Sequence, residues 1–282
     1  PTRSPMDFLA KLTERPTLIK VALGGAAVAL GLYGLKPIAP LHDLYLNQIG
    51  PLSNWLGTSI PPGPKCTTTR VITNIQKCGT GAFVLACMYK FDNWSLTPYV
   101  YLSLHGTYGL VWLLKECLFP DPQWQRKITI PSSLFSFFSV LGPYWLAGYF
   151  TVKNGVELTP LEICCCVTVH TLGIVFMMGA DCQKFYTLKY RDTADLTKMK
   201  AAAKLIDEGY FARTRNPNYL GEMMIYGTYA YIAKHAAPWG VLAWVWSVLF
   251  LGNMTAKDDF LRTLPGWDAY RAKTGFLFPK CC

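Results

Sequence analysis

The chain has 282 residues, of which 51% are hydrophobic, 14% aromatic and only 16% charged. So low a charged fraction argues against an ordinary soluble globular protein. The net charge of +10 would suit nucleic acid, but the positions of the basic residues suggest another explanation, and we expect no nucleic-acid partner.

Apolar stretches long enough to cross a bilayer recur along the chain, and each spanning helix needs about 20 mostly apolar residues. Residues 18–35 form a weaker candidate because Lys20 interrupts them, and residues 79–89 are too few to stand alone. Later windows predicted as spans are residues 98–119, 134–152, 158–180, 219–233 and 239–254. We therefore expect an all-α, polytopic transmembrane bundle of about five to seven spans. A soluble enzyme with buried helices is the alternative, and the uncharged run at 134–152 disfavours it.

The chain is predicted to divide near residue 79. Pro/Gly-rich connectors at 37–51 and 61–64 set residues 1–78 apart as an N-terminal extension with one possible membrane helix. This extension is the part expected to meet protein partners. Residues 79–282 are predicted to form a membrane domain, in which residues 195–206 have the composition of a short surface helix.

Basic residues are distributed unevenly between the two sides of the predicted bundle. Loops 119–133 and 181–218 and the tail 255–282 hold two, eight and five Lys or Arg residues, fifteen in all. The links on the opposite side hold only Lys153 and Lys234. By the positive-inside rule, the basic side faces the cytosol or its equivalent, such as the mitochondrial matrix. We expect an integral protein of the endoplasmic reticulum or of an organelle (mitochondrial) membrane.

The segment 209–222 is a basic, Asn-rich turn that runs into an apolar helix. Asn216 is a suitable N-cap and Pro217 suits the first helical turn. Free N–H groups at a helix N-terminus favour an anion, and the guanidinium groups of Arg213 and Arg215 match phosphate oxygens. We expect an anionic cofactor here, in a pocket open to the basic face.

Further polar residues are predicted to join this pocket. Asn218 and Glu222 are four residues apart and share a helix face, and Tyr219 lies beside them. Asp181 and Lys184 leave the preceding span together. The tail, with Asp258 and Arg271 among its charged residues, is predicted to lie beside the turn. No cysteine pair has zinc-ligand spacing with histidines, so we expect no metal.

Several of these segments together resemble the steroid 5-alpha-reductase family, and more narrowly its bacterial-type branch. That family is related to sterol C14 reductases and isoprenylcysteine methyltransferases. The resemblance covers about residues 98–282. It rests on the segments 102–112, 119–124, 181–184, 189–191, 211–222 and 265–271.

This resemblance implies a membrane oxidoreductase that transfers a hydride from NADPH to an activated C=C bond. The acceptor would be a sterol or isoprenoid-like lipid that enters from the bilayer. Membrane lipids would surround the protein. The cofactor would be held by Asp181, Lys184, Lys189, Arg191, Arg213, Arg215, Asn218, Tyr219, Glu222, Asp258 and Arg271.

The resemblance also suggests where the catalytic acid lies. Characterised steroid reductases carry a His-Tyr pair, and here His105 matches while Gly106 stands at the tyrosine position. Tyr108 lies three residues after His105 on the same helix face, so we expect it to take that role. Tyr144, Glu162 and His170 are further polar candidates inside the predicted spans.

Two other functions fit the same sequence. Isoprenylcysteine and phospholipid methyltransferases share a similar Arg-x-Pro-x-Tyr-x-Gly turn and bind S-adenosylmethionine, although Asn216 replaces their usual His. That cofactor has no phosphates to explain so many cations. The chain could also be a non-catalytic accessory subunit of a larger membrane complex, held there by residues 1–78.

Overall fold

The computed structural model describes residues 47–48, 50–60, 63–191 and 205–280, with the backbone alone at Arg191, and it is mostly helical. The predicted span at 18–35 and the predicted surface helix at 195–206 lie wholly or mostly outside these residues. In chain order the α-helices are α1 (Gly50–Thr58), α2 (Thr69–Phe91), α3 (Leu96–Leu118), α4 (Ile130–Ser136), α5 (Trp145–Lys153), α6 (Pro160–Arg191), α7 (Pro217–Ile232), α8 (Ala236–Val245), α9 (Leu251–Leu261) and α10 (Trp267–Lys273).

Shorter elements join and interrupt these helices. Strands β1 (Thr67–Thr68) and β2 (Lys127–Ile128) pair antiparallel, with Thr67 opposite Ile128. Turns of 3₁₀-helix lie at Pro122–Gln125, Gly142–Tyr144 and Gly209–Phe211, and π-helical turns lie at Phe137–Leu141 and Trp246–Phe250.

Two stretches differ from the predicted spans because of local sequence. The uncharged run at 134–152 is broken into α4, a π-helical turn, a 3₁₀ turn and α5, and Pro143 lies at the break. Proline cannot donate to the preceding turn and its ring crowds the backbone there, so a regular α-helix does not continue through it. By contrast, α6 runs 32 residues, eleven beyond the predicted end at Ala180.

Helix α2 is the element that the sequence prediction recognised least well. It has 23 residues, from Thr69 to Phe91, where only 79–89 had been singled out. The predicted domain boundary between residues 78 and 79 falls within this helix, and the division into two domains stays a prediction. The N-terminal half of α2 escaped notice because its buried face is polar, with Thr73, Gln76 and Lys77.

Two described helices are long and apolar enough to cross a membrane, namely Pro160–Tyr190 and the continuous helical stretch Ala236–Leu261. The bundle of five to seven spans is therefore not confirmed. The other candidate helices fall short for physical reasons. Helix α7 has only 16 residues, and α3 carries polar residues such as Ser103, His105 and Thr107 in the middle of its length.

Glycine residues bring the central helices into close contact. Helices α6 and α7 form the most extensive helix pair, and a Cβ atom at Gly221 would lie 2.5 Å from the carbonyl oxygen of Gly173. Helices α2 and α3 approach in the same way, since a Cβ atom at Gly109 would lie 2.6 Å from the carbonyl oxygen of Lys77. Glycine permits such backbone approach because it has no side chain.

The C-terminal tail is joined to the Arg/Asn turn by backbone hydrogen bonds. Thr214 and Gly275 form a parallel bridge, in which Arg215 N donates to Gly275 O at 2.9 Å and Gly275 N donates to Arg213 O at 2.9 Å. The Thr214 hydroxyl also donates to Leu277 O at 2.8 Å. The prediction that the tail lies beside the turn is confirmed.

Candidate functional site

A cavity of about 1440 Å³ lies among the helices, where α2, α3, α6, α7 and α9 contribute to its wall. Pockets for drug-sized ligands commonly measure about 300–1,000 Å³, so this one can hold a large ligand or two smaller ones. Its lining includes five of the predicted cofactor residues, which come from two separate helices: Asp181, Lys184, Asn218, Tyr219 and Glu222.

The inner part of the cavity wall contains a buried polar network. Lys77 Nζ donates hydrogen bonds of 2.5 Å to the hydroxyl groups of both Tyr108 and Tyr226. The Tyr108 hydroxyl in turn donates to Glu222 Oε1 at 2.7 Å, and Glu222 Oε2 lies 4.0 Å from Lys77 Nζ. One lysine, two phenols and one carboxylate thus form a continuous chain that can hold or move a proton.

Not every member of this network faces the cavity. Lys77, Tyr226 and Glu222 line it, whereas Tyr108 lies behind them and is fully buried. Tyr144 also lines the cavity, and its ring stacks on the Tyr226 ring with centroids 4.1 Å apart. Of the two phenols bound to Lys77, Tyr226 is therefore the one that a ligand in the cavity meets.

His105 does not face the cavity among the described residues. Its ring stacks on Tyr229, with centroids 4.0 Å apart, and its Nδ1 atom is 2.9 Å from the Tyr101 hydroxyl. His170, another candidate, is hydrogen-bonded to Tyr229 at 2.9 Å. Both histidines thus belong to a buried aromatic cluster next to the polar network.

Charged pairs occupy another part of the cavity wall. Lys115 Nζ lies 2.9 Å from Asp181 Oδ2. Lys184 pairs with Asp121 at 3.2 Å. Each of these two lysines thus has a carboxylate partner. Lys115 holds Asp181 in place, and the charge of Lys184 is only partly available to a ligand.

Lys257 on α9 also lines the cavity, but its partners are not aspartates. Its Nζ atom donates to the backbone carbonyl of Arg215 at 2.5 Å and to Asn216 Oδ1 at 3.3 Å. Neither partner is a carboxylate, and within the described part of the chain no ion pair neutralises Lys257. It therefore retains charge for an anion.

The N-terminus of α7 also borders the cavity. Asn216 stands at the N-cap position, as predicted, but its side chain makes no capping hydrogen bond. Its Nδ2 atom instead donates to Phe276 O at 2.8 Å, in the tail. Next along the helix, Asn218 Oδ1 is buried and has no hydrogen-bond partner in the described structure. A buried polar atom without a partner costs free energy, so a ligand donor fits this position.

Arg215 and Asp258 hold the tail in place and do not line the cavity. The Arg215 guanidinium forms an ion pair of 2.8 Å with Asp258 Oδ2, and Nη1 donates to Thr274 O at 3.0 Å. Arg215 is buried, and its charge also faces the ring of Trp267 at 5.5 Å. With these contacts made, Arg215 has little capacity left for a phosphate.

The remaining predicted cofactor residues lie elsewhere. Arg213, Lys189 and Arg271 are exposed and do not line the cavity among the described residues. The Arg191 side chain lies outside the described part. In the tail, Tyr270 does line the cavity, and its hydroxyl donates to Phe211 O at 3.2 Å. Burial raises the pKa of Tyr270, which keeps it neutral.

Sequence reasoning did not identify Lys77 or Tyr226 as site residues, and in the tail it chose Asp258 rather than its neighbour Lys257. Tyr226 follows Glu222 by four residues and shares its helix face, so helical spacing could have found it. Lys77 is the one lysine in the residues 71–89. Only the packing of α2 on α3 and α7 shows that it faces the two tyrosines.

Comparisons with known proteins bear on part of this chain. Residues 128–259 match the model of a family described as "Protein of unknown function (DUF1295)", which covers a little less than half of the chain. The matched segment includes α6, α7 and the Arg/Asn turn, but neither α3 nor the tail at 265–271. No curated protein matched the chain. The family match thus supports the resemblance at its general level: residues 128–259 correspond to DUF1295, a family of the steroid 5-alpha-reductase-like kind.

Proposed function

We propose that this protein is a membrane reductase that transfers a hydride from NADPH to an activated C=C bond of a sterol or isoprenoid-like lipid. One observation carries the proposal. Five residues implied as cofactor contacts line a single cavity together with a buried lysine–tyrosine–carboxylate network. The bacterial-type branch of the steroid 5-alpha-reductase family is the finer assignment that we favour.

The cavity offers groups suited to a dinucleotide. Asn218 Oδ1 has no hydrogen-bond partner among the described residues and can accept from the nicotinamide amide or a ribose hydroxyl. The N-terminus of α7 and Lys257 can hold the diphosphate, because helix N-termini and unpaired ammonium groups attract anions. When bound, NADPH supplies the hydride, and the protein positions it.

Reduction of the C=C bond needs a hydride on one carbon and a proton on the other. We assign the donation of that proton to Tyr226. Its hydroxyl accepts from Lys77 and its ring lines the cavity, so the ammonium group stabilises the phenolate left after proton transfer. Tyr108 and Glu222 continue the chain and can return a proton to Tyr226. Positioned proton donors of this kind commonly contribute about 10²–10⁴-fold to a rate.

Exposed apolar side chains support a location in the membrane. Leu110 on α3 is 70% exposed and Phe138 in the π-helical turn is 72% exposed. Further exposed apolar residues on α6 include Val167, Leu172 and Val175. Surfaces of this kind are rare on soluble monomers and are covered readily by lipid. We propose a polytopic arrangement in which the shorter helices α3 and α7 also lie in the bilayer.

A methyltransferase is the second candidate, and the ion pairs give it some support. The abundance of cations had disfavoured S-adenosylmethionine, but Arg215, Lys115 and Lys184 each already pair with a carboxylate. Glu222, which lines the cavity, would suit a positively charged sulfonium. Lys257, which has no carboxylate partner among the described residues, and the α7 N-terminus at the cavity still favour a phosphate-bearing cofactor.

Direct binding tests the proposal. Purified full-length protein in detergent should bind NADPH, and Asn218→Ala and Lys257→Met should each weaken that binding at least tenfold in calorimetric titrations. Lys153→Met, at the exposed end of α5, is the control and should bind as the parent does. Binding of S-adenosylmethionine in place of NADPH would favour the methyltransferase. Binding of neither would favour the accessory subunit.

A further inference from the structure

Lys77 differs from two other cavity lysines, Lys115 and Lys184, in its ion pairing. Lys115 and Lys184 lie 2.9 and 3.2 Å from aspartate oxygens. For Lys77, the carboxylate of its ion pair, Glu222, is 4.0 Å away. An amine must lose a proton before it can act as a nucleophile, and a close carboxylate opposes that loss. Loose ion pairing therefore makes Lys77 the best nucleophile among these three lysines.

Aromatic rings surround the Lys77 amine. Its Nζ atom lies 4.1 Å from the ring centroid of Tyr108, 4.5 Å from that of Trp112 and 4.9 Å from that of Tyr226. The residue is only 5% exposed, yet it lines the cavity. Lysines in such desolvated sites serve as imine-forming groups in other enzymes, and exclusion of water protects an imine from hydrolysis.

We propose that Lys77 forms an imine with the carbonyl carbon of a long-chain, apolar aldehyde bound in the cavity. The amine nitrogen adds to the carbonyl carbon, the resulting carbinolamine loses its oxygen as water, and a C=N bond replaces the C=O bond. No oxidation or reduction takes place in this step.

The neighbouring side chains supply the proton transfers that this step requires. The Tyr226 hydroxyl lies 2.5 Å from the nitrogen at the cavity wall and can donate a proton to the departing oxygen. The Tyr108 hydroxyl, also 2.5 Å from the nitrogen, can take a proton from it and pass its own proton to Glu222. Glu222 provides the counter-charge to the protonated imine, at the distance of 4.0 Å already noted.

The surroundings of Lys77 favour an apolar chain on the aldehyde. The Tyr226 ring stacks on Tyr144, and the lining nearby includes Val140 and Leu141 of the same helical stretch as Tyr144. Residues of the second π-helical turn add to the lining: Val248, Leu249 and Phe250. Such a wall favours burial of a long methylene chain and gives a short, polar aldehyde little to contact.

Imine formation needs no dinucleotide, so this inference goes beyond the proposed reduction and can fail separately from it. If the protein both forms the imine and carries out the proposed reduction, an α,β-unsaturated aldehyde gains from the combination. The protonated imine would draw electrons from its C=C bond and make that bond a better hydride acceptor. That last consequence alone rests on the proposed function.

Reductive trapping tests the proposal. Full-length protein in lipid nanodiscs is incubated with hexadecanal and sodium cyanoborohydride, which reduces the imine to a stable secondary amine. Peptide mass spectrometry should locate the adduct on Lys77, at a level at least tenfold above the exposed Lys90 and Lys153. Propanal, at equal concentration, should give at least tenfold less adduct.

Two lysine variants test whether the adduct requires the Lys77 amine itself or only a correctly folded site. Lys77→Arg keeps the charge but forms no stable imine, so the adduct at this position should vanish, while Lys115→Arg, at an equally buried lysine, should keep the adduct on Lys77. An adduct spread evenly over exposed lysines of the unmodified sequence, or none on Lys77, would overturn the proposal. Equal trapping of propanal would overturn the apolar chain. NADPH titration of the same preparations reports on the reductase separately.

Discussion

At the scale of single residues, the directions of the hydrogen bonds around Lys77 assign different roles to the two tyrosines. The Tyr108 hydroxyl accepts from Lys77 and donates to Glu222, so its proton points away from the cavity. Tyr226 accepts from the same lysine but has its ring at the cavity wall. The proton donor expected from the sequence was Tyr108, and we now place Tyr226 in front of it.

Tyr226→Phe should therefore slow turnover by about 10²–10⁴-fold, because it removes the proposed proton donor while keeping the ring. NADPH affinity should change little, since the hydroxyl is not assigned to the cofactor. Steady-state kcat with a lipid acceptor that supports turnover, together with the Kd for NADPH, measures both effects. Tyr108→Phe should cost less, and a Tyr226→Phe enzyme with full kcat would exclude this role.

Arg215 leads to a prediction about stability. Arg215→Ala leaves Asp258 and Thr274 O without their buried partner, which typically costs about 3–5 kcal/mol. The loss should appear as a lower midpoint in thermal unfolding in detergent and as faster proteolysis of the tail. Lys273→Ala removes an exposed ion pair with Asp207 and should cost only about 0–1 kcal/mol. Equal losses in both variants would contradict the structural role of Arg215.

Sequence patterns located the cofactor side of the cavity better than its interior. Asn218, Tyr219 and Glu222 were found because helical spacing and the preceding turn place them on a common face. Arg213 and Arg215 were equally reasonable by composition, yet one is exposed and the other is paired with Asp258. Pairing between distant segments decides which cations remain free, and that pairing is not visible in local sequence.

At the scale of secondary-structure elements, the contact between α6 and α7 fixes the positions of the cofactor residues. Asp181 and Lys184 lie on α6, while Asn218 and Glu222 lie on α7. The two helices meet at Gly173 and Gly221, which leave room for backbone atoms to touch. A shift at this contact would therefore move one half of the cavity wall relative to the other.

Gly221→Ala should destabilise the protein by about 1–3 kcal/mol, because its Cβ atom would lie 2.5 Å from Gly173 O and from Met177 N. Both are backbone atoms that cannot turn aside. Gly227→Ala, in the same helix and with no atom within 4 Å, should be neutral or stabilising by about 0.5–1 kcal/mol. Thermal unfolding of the two variants in one detergent makes the comparison, and equal midpoints would contradict the close contact.

Helix prediction succeeded for two of the apolar windows. The expected span at 98–119 corresponds to α3 and the one at 219–233 to α7, each within two residues at both ends. It failed where polar residues face inwards, as in α2, and where a helix continues beyond the apolar region, as in α6. Hydropathy reports the environment of a side chain, whereas helix length depends on backbone hydrogen bonds that charged residues do not interrupt.

At the scale of the whole molecule, charge and length together suggest how the protein lies in a bilayer. Helix α6 is about 48 Å long at 1.5 Å per residue, against a hydrocarbon core of about 30 Å. Its last turns, which carry Lys184 and Lys189, would then project from the basic side. Near its other end, Glu162 binds Tyr231 and Lys234 and joins α6 to the end of α7.

This orientation predicts that two exposed sites lie on opposite sides of the membrane. An epitope inserted after Gly155, between α5 and α6, should be reached by antibody from the side opposite to an epitope inserted after Lys273 in the tail. Antibody binding to intact and permeabilised vesicles measures the sidedness of each. Access to both epitopes from one side would refute the proposed topology.

The two π-helical turns, Phe137–Leu141 and Trp246–Phe250, have a consequence for how this chain can vary in length. A π-helical turn holds one residue more than the α-helical turn that it replaces. Deleting that residue would wind the segment back into ordinary α-helix and rotate α4 against α5 by about 100°, the angle per residue of a helix. Ser139, Val140 and Leu141 would then swing away from the interior. The number of residues in each turn sets the rotation of the helix on one side relative to the helix on the other. Insertions and deletions should therefore accumulate outside these two turns.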